Sequence, residues 1–313
     1  MNSSWKYLLG FLSLIAVTVW LAVLYYPKTE LHLIACDVGQ GDAILAVYGK
    51  TQILVDGGPG DAVLNCLSSH MPFWDREIEL IILSHPQTDH FTGLIEVFKR
   101  YKVDKFLATP IDSGTESYQV LKDEVGGSGT DVVYPSTGIV IRLGLIHLDI
   151  LHPSEEYILS NSEGSPVDKG NAVLGASTTT RDPNDFSIVA ILSLGEFDAL
   201  LTGDIEPDIS NLVAKELISS APREIEYIKI PHHGSKNGLS SNLLAVTSPE
   251  VAVISVGKDN RYGHPNKEVL DMLARYASGS DELTARRELE VLRTDEMGDV
   301  EVVTDGDKWW IAN

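Results

Sequence analysis

Hydrophobic positions divide the chain into an apolar N-terminal segment and a longer part with mixed patterning. Residues 7–26 form an uncharged run, YLLGFLSLIAVTVWLAVLYY, with Lys6 before it and Lys28 close after it. About 20 apolar residues are the length at which a helix crosses a bilayer. The sequence therefore predicts a membrane anchor within residues 1–30 and one large domain over residues 31–313.

A cleaved signal peptide is the alternative interpretation of the apolar run. The run is longer than the apolar part of a signal peptide, about 7–15 residues, and it ends in Tyr25 and Tyr26 where a cleavage site would have small residues. These features favour an uncleaved anchor. Lys6 and the amino terminus precede the helix, which favours a cytoplasmic amino terminus. We therefore expect a single-pass membrane protein whose large domain lies outside the cytoplasm.

The large domain is predicted to contain two blocks of strands with helices between them. In the first block, β-rich runs precede the buried run ELIILS at 79–84, and a helix follows at 93–101. In the second block, strands alternate with helices at 207–219, 239–246 and 265–277. Two such blocks predict two packed sheets with helices outside, a layered α/β architecture. Segments 126–129 and 160–185, rich in small and polar residues, are predicted to be loops.

Composition limits the classes of function. The chain has 313 residues, of which 43% are hydrophobic, so it has enough apolar side chains for a folded core. It carries 24 basic and 45 acidic residues, a formal charge of −21. Such a charge argues against a surface that attracts phosphates everywhere. A nucleic-acid substrate would need bound cations or a local basic strip.

The two cysteines, Cys36 and Cys66, lie in apolar runs without CxxC spacing. Free cysteine behaves as a small hydrophobic residue and is often buried. The sequence therefore predicts that both cysteines are core residues, and it does not predict a bond between them.

Histidine and aspartate gather directly after predicted strands. SHPQTDH at 84–90 follows the buried run, and three later motifs follow other apolar runs: Gly203-Asp204, PHHGS at 231–235 and GHP at 263–265. A single histidine is usually a surface or hydrogen-bonding residue, and a single strand-end aspartate is usually a helix cap. However, five of the nine histidines fall in these motifs. Imidazole and carboxylate ligands suit Zn, Mn or Fe, so the motifs together predict a metal site.

These motifs resemble the hydrolase domain of the competence protein ComEC, which has the metallo-β-lactamase fold. The matching blocks occur in the family's order over nearly all of the chain after residue 31: CDVGQGDAIL (36–45), ILVDGG (53–58), ILSHPQTDHFTGL (82–94), LHP (151–153), NDFSIV (184–189), LLTGDIE (200–206), IKIPHHGSKNG (228–238), NRYGHP (260–265) and RTDEMGDVEV (293–302). The resemblance implies an αββα four-layer sandwich with its site along one edge of the two sheets. It also implies one or two divalent metal ions, Zn or Mn.

The resemblance assigns metal ligands by motif position: His85, Asp89, His90, Asp204, His232, His233 and His264. Asp204 matches the carboxylate that can bridge two metals, and Asp56 matches an acid that supports the ligand loop. At least one histidine of the HHGS element is expected to bind metal or hold the substrate oxyanion, and which one stays open. Asp37, Gln40 and Asp42 match the DVGQGD turn, where we expect them to tie the turn through side-chain to backbone hydrogen bonds.

Two departures from the general fold bear on the number of metals. The general fold has His-x-His-x-Asp-His, whereas Gln87, a poor neutral ligand, stands at the third position here. In addition, no histidine lies between the first loop and Asp204, where this family has Asn184 to Ser187. Asn184 or Asp185 could supply an oxygen ligand, and either could equally form the turn. More oxygen and less imidazole would favour Mn over Zn.

The implied chemistry is metal-assisted hydrolysis, in which the metal activates water and polarises the phosphoryl oxygen. Asp89 or Asp204 would orient or deprotonate the attacking water. His233 or His264 would stabilise charge or protonate the leaving oxygen.

Three functions remain open at this stage. The first is a phosphodiesterase or nuclease that acts on DNA in uptake or degradation, with a separate channel protein for transport. It would be helped by a basic strip made of Lys229, Lys236, Lys258, Arg261 and Lys267. The second is hydrolysis of another phosphodiester, such as a phosphocholine or cell-envelope ester, which the acidic charge favours. The third is an envelope binding protein whose catalysis is impaired through Gln87.

Overall fold

The computed structural model describes residues 3–24, 29–164, 173–219, 223–279 and 288–312. Its strands are β1 (Leu31–Ala35), β2 (Ile44–Tyr48), β3 (Thr51–Val55), β4 (Glu77–Leu83), β5 (Lys102–Ala108), β6 (Asp131–Val133), β7 (Val140–Leu143), β8 (Ile146–His152), β9 (Val189–Leu194), β10 (Phe197–Leu201), β11 (Tyr227–Lys229), β12 (Val251–Ile254), β13 (Glu290–Arg293), β14 (Val300–Thr304) and β15 (Trp309–Ile311). Its helices are α1 (Ser3–Leu24), α2 (Val63–His70), α3 (Thr88–Phe98), α4 (Glu116–Ser128), α5 (Glu155–Asn161), α6 (Pro207–Ser219), α7 (Ser241–Thr247), α8 (Lys267–Ala277) and α9 (Thr294–Met297). Short 3₁₀ turns span Pro183–Phe186 and Pro231–Gly234.

The strands form two sheets, as the sequence predicts. One sheet has the order β15-β14-β1-β2-β3-β4-β5-β6, and the other has the order β13-β12-β11-β10-β9-β8-β7. Strands β3 to β6 run parallel to one another, and so do β10 to β13. In each sheet the carboxyl ends of these parallel strands therefore meet at one edge, where an α/β fold presents a site.

Alternating side chains of the buried strands build the core. In β4, Leu80 and Ile82 pack into the layer between the sheets, while Ile81 and Leu83 pack on the other face with residues of α2 and α3. The second sheet does the same, with Ala199 facing the first sheet and Leu200 facing the outer helices. Because β4 is buried on both faces, it reads as a continuous apolar run, which explains why the sequence identifies it clearly.

Helix α3 begins at Thr88, five residues before the start that the sequence predicts, and ends at Phe98. Asp89 and His90 therefore lie in the first turn of a helix, whereas the sequence predicts a helix only from residue 93. Close packing explains the position of this helix. A Cβ atom on Gly93 would lie 1.9 Å from the carbonyl oxygen of Gly57, so only glycine lets α3 approach the segment after β3.

The loop predicted at 126–129 is wrong. Helix α4 continues through Ser128 and ends at Gly129, which has the left-handed backbone that suits a helix C-terminus. Part of the second predicted loop is also structured, because α5 extends to Asn161 and a 3₁₀ turn begins at Pro183. Residues 165–172 of that loop lie outside the described part of the chain.

The predicted anchor corresponds to α1, an apolar helix of 22 residues. Tyr25 and Tyr26, at the end of the predicted span, lie outside the described residues. Among the residues that are described, no helix meets the length and hydropathy required to cross a membrane. The single-pass anchor therefore stays a prediction.

Cys36 and Cys66 are both buried, as predicted, but they form a disulfide that the sequence does not predict. Their Cα atoms lie 5.8 Å apart although 30 positions separate them in the chain. Cys36 follows β1 and Cys66 lies in α2. The bond therefore joins the first sheet to the helix that covers it.

The buried His152 predicts how stability depends on pH. Its Nε2 atom lies 2.8 Å from the carbonyl oxygen of Asp185, and burial lowers its pKa from 6.5 to about 4. Between these pH values the unfolded chain binds a proton that the folded chain does not bind. Stability therefore falls as the pH falls from about 6.5 to about 4, by about 3 kcal/mol.

Urea unfolding of the metal-free full chain in detergent, at pH 7 and at pH 4, measures this contribution. We expect the free-energy difference between wild type and His152→Gln to shrink by about 3 kcal/mol from pH 7 to pH 4. Parallel pH curves for the two proteins would contradict the assignment.

Candidate metal centre

Four strand ends bring the candidate side chains together. Asp56 follows β3, and His85 follows β4. Across the layer between the sheets, Asp204 follows β10 and His233 follows β11. His90 reaches the same place from the first turn of α3. The strand ends that the sequence identifies by their polar motifs therefore converge on one edge.

Asp56, Ser84 and two histidines form a connected hydrogen-bond network below the centre. The Ser84 amide and hydroxyl donate to the two oxygens of Asp56, at 2.7 and 2.6 Å. The Asp56 Oδ2 atom also accepts from His90 Nδ1, at 2.8 Å. The Ser84 oxygen, whose proton is directed to Asp56, lies 3.0 Å from His85 Nδ1 and must accept from it. Asp56 supports the ligand loop, the role that the resemblance implies for it.

The network determines which nitrogen each imidazole presents to the centre. Since the Nδ1 atoms of His85 and His90 donate, the Nε2 atom of each neutral ring carries the lone pair. His233 has the same arrangement, because its Nδ1 atom lies 2.9 Å from the carbonyl oxygen of Ser255, which can only accept. All three rings therefore present Nε2, the form in which imidazole binds a metal.

Asp204 lies between the two halves of the site. Its Oδ2 atom is 3.3 Å from His90 Nε2 and 3.1 Å from His233 Nε2. Its Oδ1 atom is 3.3 Å from the Nζ atom of Lys229. All four side chains are buried, and these neighbours hold the pKa of Asp204 well below its usual range although burial opposes this. Asp204 is therefore an ionised carboxylate in the centre.

Unpartnered buried nitrogens show that the residues fit a metal ion. The Nε2 atoms of His85, His90 and His233 are buried and make no hydrogen bond of ordinary geometry with any described residue. Their neighbours form overlapping ligand sets: His85, His90 and Asp204 are one, and Asp89, His90 and His233 are another. Buried polar atoms are normally satisfied, so this concentration of lone pairs beside carboxylates is what a divalent cation would complete.

Charge in the centre shifts the protonation of the histidines in different directions. Burial and the neighbouring His90 lower the pKa of His85 to about 3, so this ring is neutral. Burial disfavours charge on His90 and His233 as well, but Asp204 beside both, with Asp56 or Asp42, raises their pKa well above 6.5. A metal ion that binds these rings has to displace their protons, so metal affinity will rise with pH.

His232 and His264 form a separate pair beside the centre. Their ring centroids lie 5.9 Å apart, and the buried Nδ1 atom of each lacks a hydrogen bond with the described residues. Neither belongs to a ligand set among those residues, so of the two HHGS histidines His233 is the one in the cluster. Burial and nearby charged groups lower the pKa of both rings. At neutral pH they are therefore neutral and can donate a hydrogen bond or bind a metal.

Gln87 and the segment that contains Asn184 are the two places where the sequence departs from the general fold. Gln87 is the residue before α3, and its Nε2 atom donates to Asp182 Oδ1 at 3.4 Å. Asn184 is buried and its Oδ1 atom has no partner among the described residues, whereas Asp185 forms an ion pair with Arg181. Asn184 therefore retains a buried oxygen for a ligand, whereas one carboxylate oxygen of Asp185 is paired with Arg181.

The DVGQGD turn contributes more than turn geometry. Asp37 is exposed and accepts from the Gly39 amide, as expected for a turn residue. Gln40 instead accepts from the amide of Gly257, across the site edge. The expectation is wrong for Asp42, because its side chain lies in the buried network against Lys229 and His233 and does not tie the turn.

The structure places Lys229 elsewhere than the sequence predicts. The sequence groups it with a basic strip, but its side chain is 1% exposed. The other four residues of the strip are exposed: Lys236, Lys258, Arg261 and Lys267. The basic strip on the surface therefore consists of these four residues. Strand periodicity could have found the buried position of Lys229, since Ile228 and Ile230 pack under the outer helices, so the residue between them faces the space between the sheets.

One side of the centre is accessible. The His90 and Asp204 side chains are fully buried, whereas the Asp89 side chain is 28% exposed and lies 3.6 Å from His233 Nε2. His264 is half-buried and stacks on the exposed Tyr262 ring. A substrate can therefore approach between Asp89 and His264, with the buried ligands behind.

The two sheets, the outer helices and this cluster at one edge define a metallo-β-lactamase fold. The metallo-β-lactamase fold protein YhfI from Bacillus subtilis has the same fold, with a TM-score of 0.51 and 12% identity over 90% of this chain and 100% of that one. No established protein-family profile matches the chain.

Two bacterial proteins are similar to the chain in sequence. The chain is 24% identical to ComE operon protein 3 of Bacillus subtilis over 92% of its length, and 27% identical to Recombination protein 2 of Haemophilus influenzae over 82% of its length. The chain spans 35% of the length of ComE operon protein 3 and 28% of the length of Recombination protein 2. The chain thus has a metallo-β-lactamase fold and is similar in sequence to about a third of the length of these relatives.

Proposed function

We propose that this chain is a membrane-anchored, metal-dependent phosphodiesterase that cleaves DNA outside the cytoplasm. The observation that carries the proposal is the buried cluster of three imidazole Nε2 atoms around Asp204, which fits a divalent cation, Zn or Mn. Similarity to two proteins of the ComEC family supports a nucleic-acid substrate.

The side chains divide the chemistry between them. A divalent ion bound here would activate water and polarise a phosphoryl oxygen. His85, His90 and His233 would hold the ion through their Nε2 atoms after the protons of His90 and His233 are displaced, and Asp204 balances charge from the buried side. Asp89 lies at the open edge and can accept the proton of the attacking water. Burial and nearby charged groups lower the pKa of His264, so at neutral pH the ring is neutral and would donate a hydrogen bond to the phosphate without protonating the leaving oxygen.

Two features support a location outside the cytoplasm. The apolar run of α1 precedes the domain, and the Cys36–Cys66 disulfide is the kind of bond that persists in oxidising compartments. Carbonate extraction of membranes from expressing cells tests the anchor. Protease treatment of spheroplasts tests on which side of the membrane the large domain lies. Release of the full chain by carbonate would contradict the anchor.

A different phosphodiester is the second candidate substrate, such as a phosphocholine or cell-envelope ester. The formal charge of −21 and the burial of Lys229 both favour it, because they leave little positive surface for a DNA backbone. If DNA is taken up through this activity, transport would need a separate channel protein.

A cleavage assay separates the two substrates. The full chain in detergent, stripped of metal and reloaded with Mn²⁺ or Zn²⁺, is incubated with end-labelled single-stranded and double-stranded DNA and, in parallel, with bis(p-nitrophenyl) phosphate. We expect metal-dependent cleavage of DNA. Hydrolysis of the small diester alone would favour an envelope ester as the substrate. Failure to hydrolyse any diester would contradict the hydrolase function and favour a binding protein.

A further inference from the structure

Lys229 places a positive charge inside the candidate metal centre. It is the last residue of β11, and its side chain is 1% exposed. Its Nζ atom donates to the carbonyl oxygen of Gly203 at 3.0 Å, lies 3.3 Å from Asp204 Oδ1 and contacts Asp42 Oδ2. A buried ammonium needs such partners, and two carboxylates and a carbonyl supply them.

The two oxygens of Asp204 face different cations as a result. Oδ2 faces the Nε2 atoms of His90 and His233, where a metal would bind. Oδ1 faces Lys229. A carboxylate can bridge two metals by giving one oxygen to each. In this chain the second oxygen is already occupied by an ammonium group.

The position of a second metal can be located. Besides the two sets already given, the cluster contains a set of Asp42, Asp204 and His233, and a set of Asp42, Asp56 and His90 in which His90 Nδ1 is already bonded to Asp56. The Lys229 ammonium lies against both carboxylates of the first of these two sets. It therefore occupies the space and balances the charge that a second ion would otherwise require.

The ligand supply agrees with a single ion. Gln87, a poor neutral ligand, stands where the general fold has another histidine, and its side-chain nitrogen donates to Asp182. A first ion can use His90 together with His85 and Asp204, or together with Asp89 and His233. A second ion would have to share Asp204 or His233 with the first and compete with Lys229 for the carboxylates.

We propose that Lys229 replaces the second metal ion of this centre, so that each chain binds one divalent cation. The inference rests on the proposed metal-dependent function, but it concerns the number of ions and not the substrate. Lys229 acts through Asp42 and Asp204 and is a positioning residue.

Metal stoichiometry tests the inference without reference to activity. The full chain in detergent is dialysed against Mn²⁺, and bound metal is measured by mass spectrometry for wild type, Lys229→Ala, Lys229→Arg and the exposed control Lys236→Ala. We expect one Mn²⁺ in wild type, Lys229→Arg and Lys236→Ala. We expect two in Lys229→Ala, because that variant vacates the space and the charge.

Electron paramagnetic resonance of wild type gives a result that needs no variant to fold. One isolated Mn²⁺ gives a six-line spectrum, whereas two neighbouring ions give an exchange-coupled spectrum.

Two ions in wild type, or one ion in a folded Lys229→Ala, would overturn the inference. If wild type binds two ions and cleaves a diester, the inference fails and the proposed function stands. If it binds one ion and cleaves nothing, the hydrolase function fails and the inference stands.

Discussion

Replacing Asp204 by asparagine is expected to reduce phosphodiester hydrolysis at least about a thousandfold, the scale on which a group that stabilises the reacting charges acts. The substitution keeps the shape and removes the charge. Asp204 contacts His90, His233 and Lys229, so the variant loses the carboxylate that balances a bound metal and its ligands. Hydrolysis of bis(p-nitrophenyl) phosphate by the Mn²⁺-loaded full chain measures the effect.

Stability provides the second measurement for this substitution. Without metal, Asp204→Asn leaves Lys229 with one of its two carboxylate partners, and removal of one partner of a buried pair costs about 3–5 kcal/mol. The matched control is Asp208→Asn, an exposed aspartate four residues later, which should change neither quantity measurably. Full activity in a folded Asp204→Asn variant would contradict a role for Asp204 in the reaction.

Loss of the Cys36–Cys66 disulfide is expected to lower the free energy of unfolding by about 3–4 kcal/mol, from the entropy of closing a loop with a sequence separation of 30 residues. The bond anchors the chain just before the DVGQGD turn, where the Cys36 amide donates to the carbonyl oxygen of Ala43. Reduction should therefore loosen the turn that carries Asp42.

Urea unfolding of the full chain in detergent, with and without dithiothreitol, measures the contribution of this bond. A Cys36→Ala, Cys66→Ala double variant is the control, and reductant should leave its unfolding curve unchanged. A wild-type curve that does not move on complete thiol exposure would show that the bond does not stabilise the domain.

The fold was predictable where one physical signal dominates. ELIILS identifies β4 because a strand buried on both faces is apolar throughout, and Pro207–Ser219 is a helix within the bounds that the sequence predicts. Prediction failed where local preference and packing disagree. Gly126 and Gly127 disfavour a helix, yet α4 includes them because its apolar face is anchored by Tyr118, Leu121 and Val125 earlier in the helix.

The site was predictable to the extent that its residues follow strand ends. His85, Asp204 and His233 do so, and their motifs are recognisable in the sequence. Asp42 and Lys229 were misassigned because each contacts partners distant in the chain. Lys229 meets Asp42 only when the two sheets pack together, 187 positions apart, and no local pattern records that contact.

The dependence of hydrolysis on metal occupancy tests the central claim most directly. Mn²⁺ is added stepwise to the chelated full chain, and the rate of bis(p-nitrophenyl) phosphate hydrolysis is followed against bound metal. The account predicts no rate without metal, a proportional rise, and a plateau at one ion per chain that ethylenediaminetetraacetate abolishes. A folded chain that is saturated with metal and hydrolyses nothing, or one that hydrolyses at full rate without metal, would contradict it.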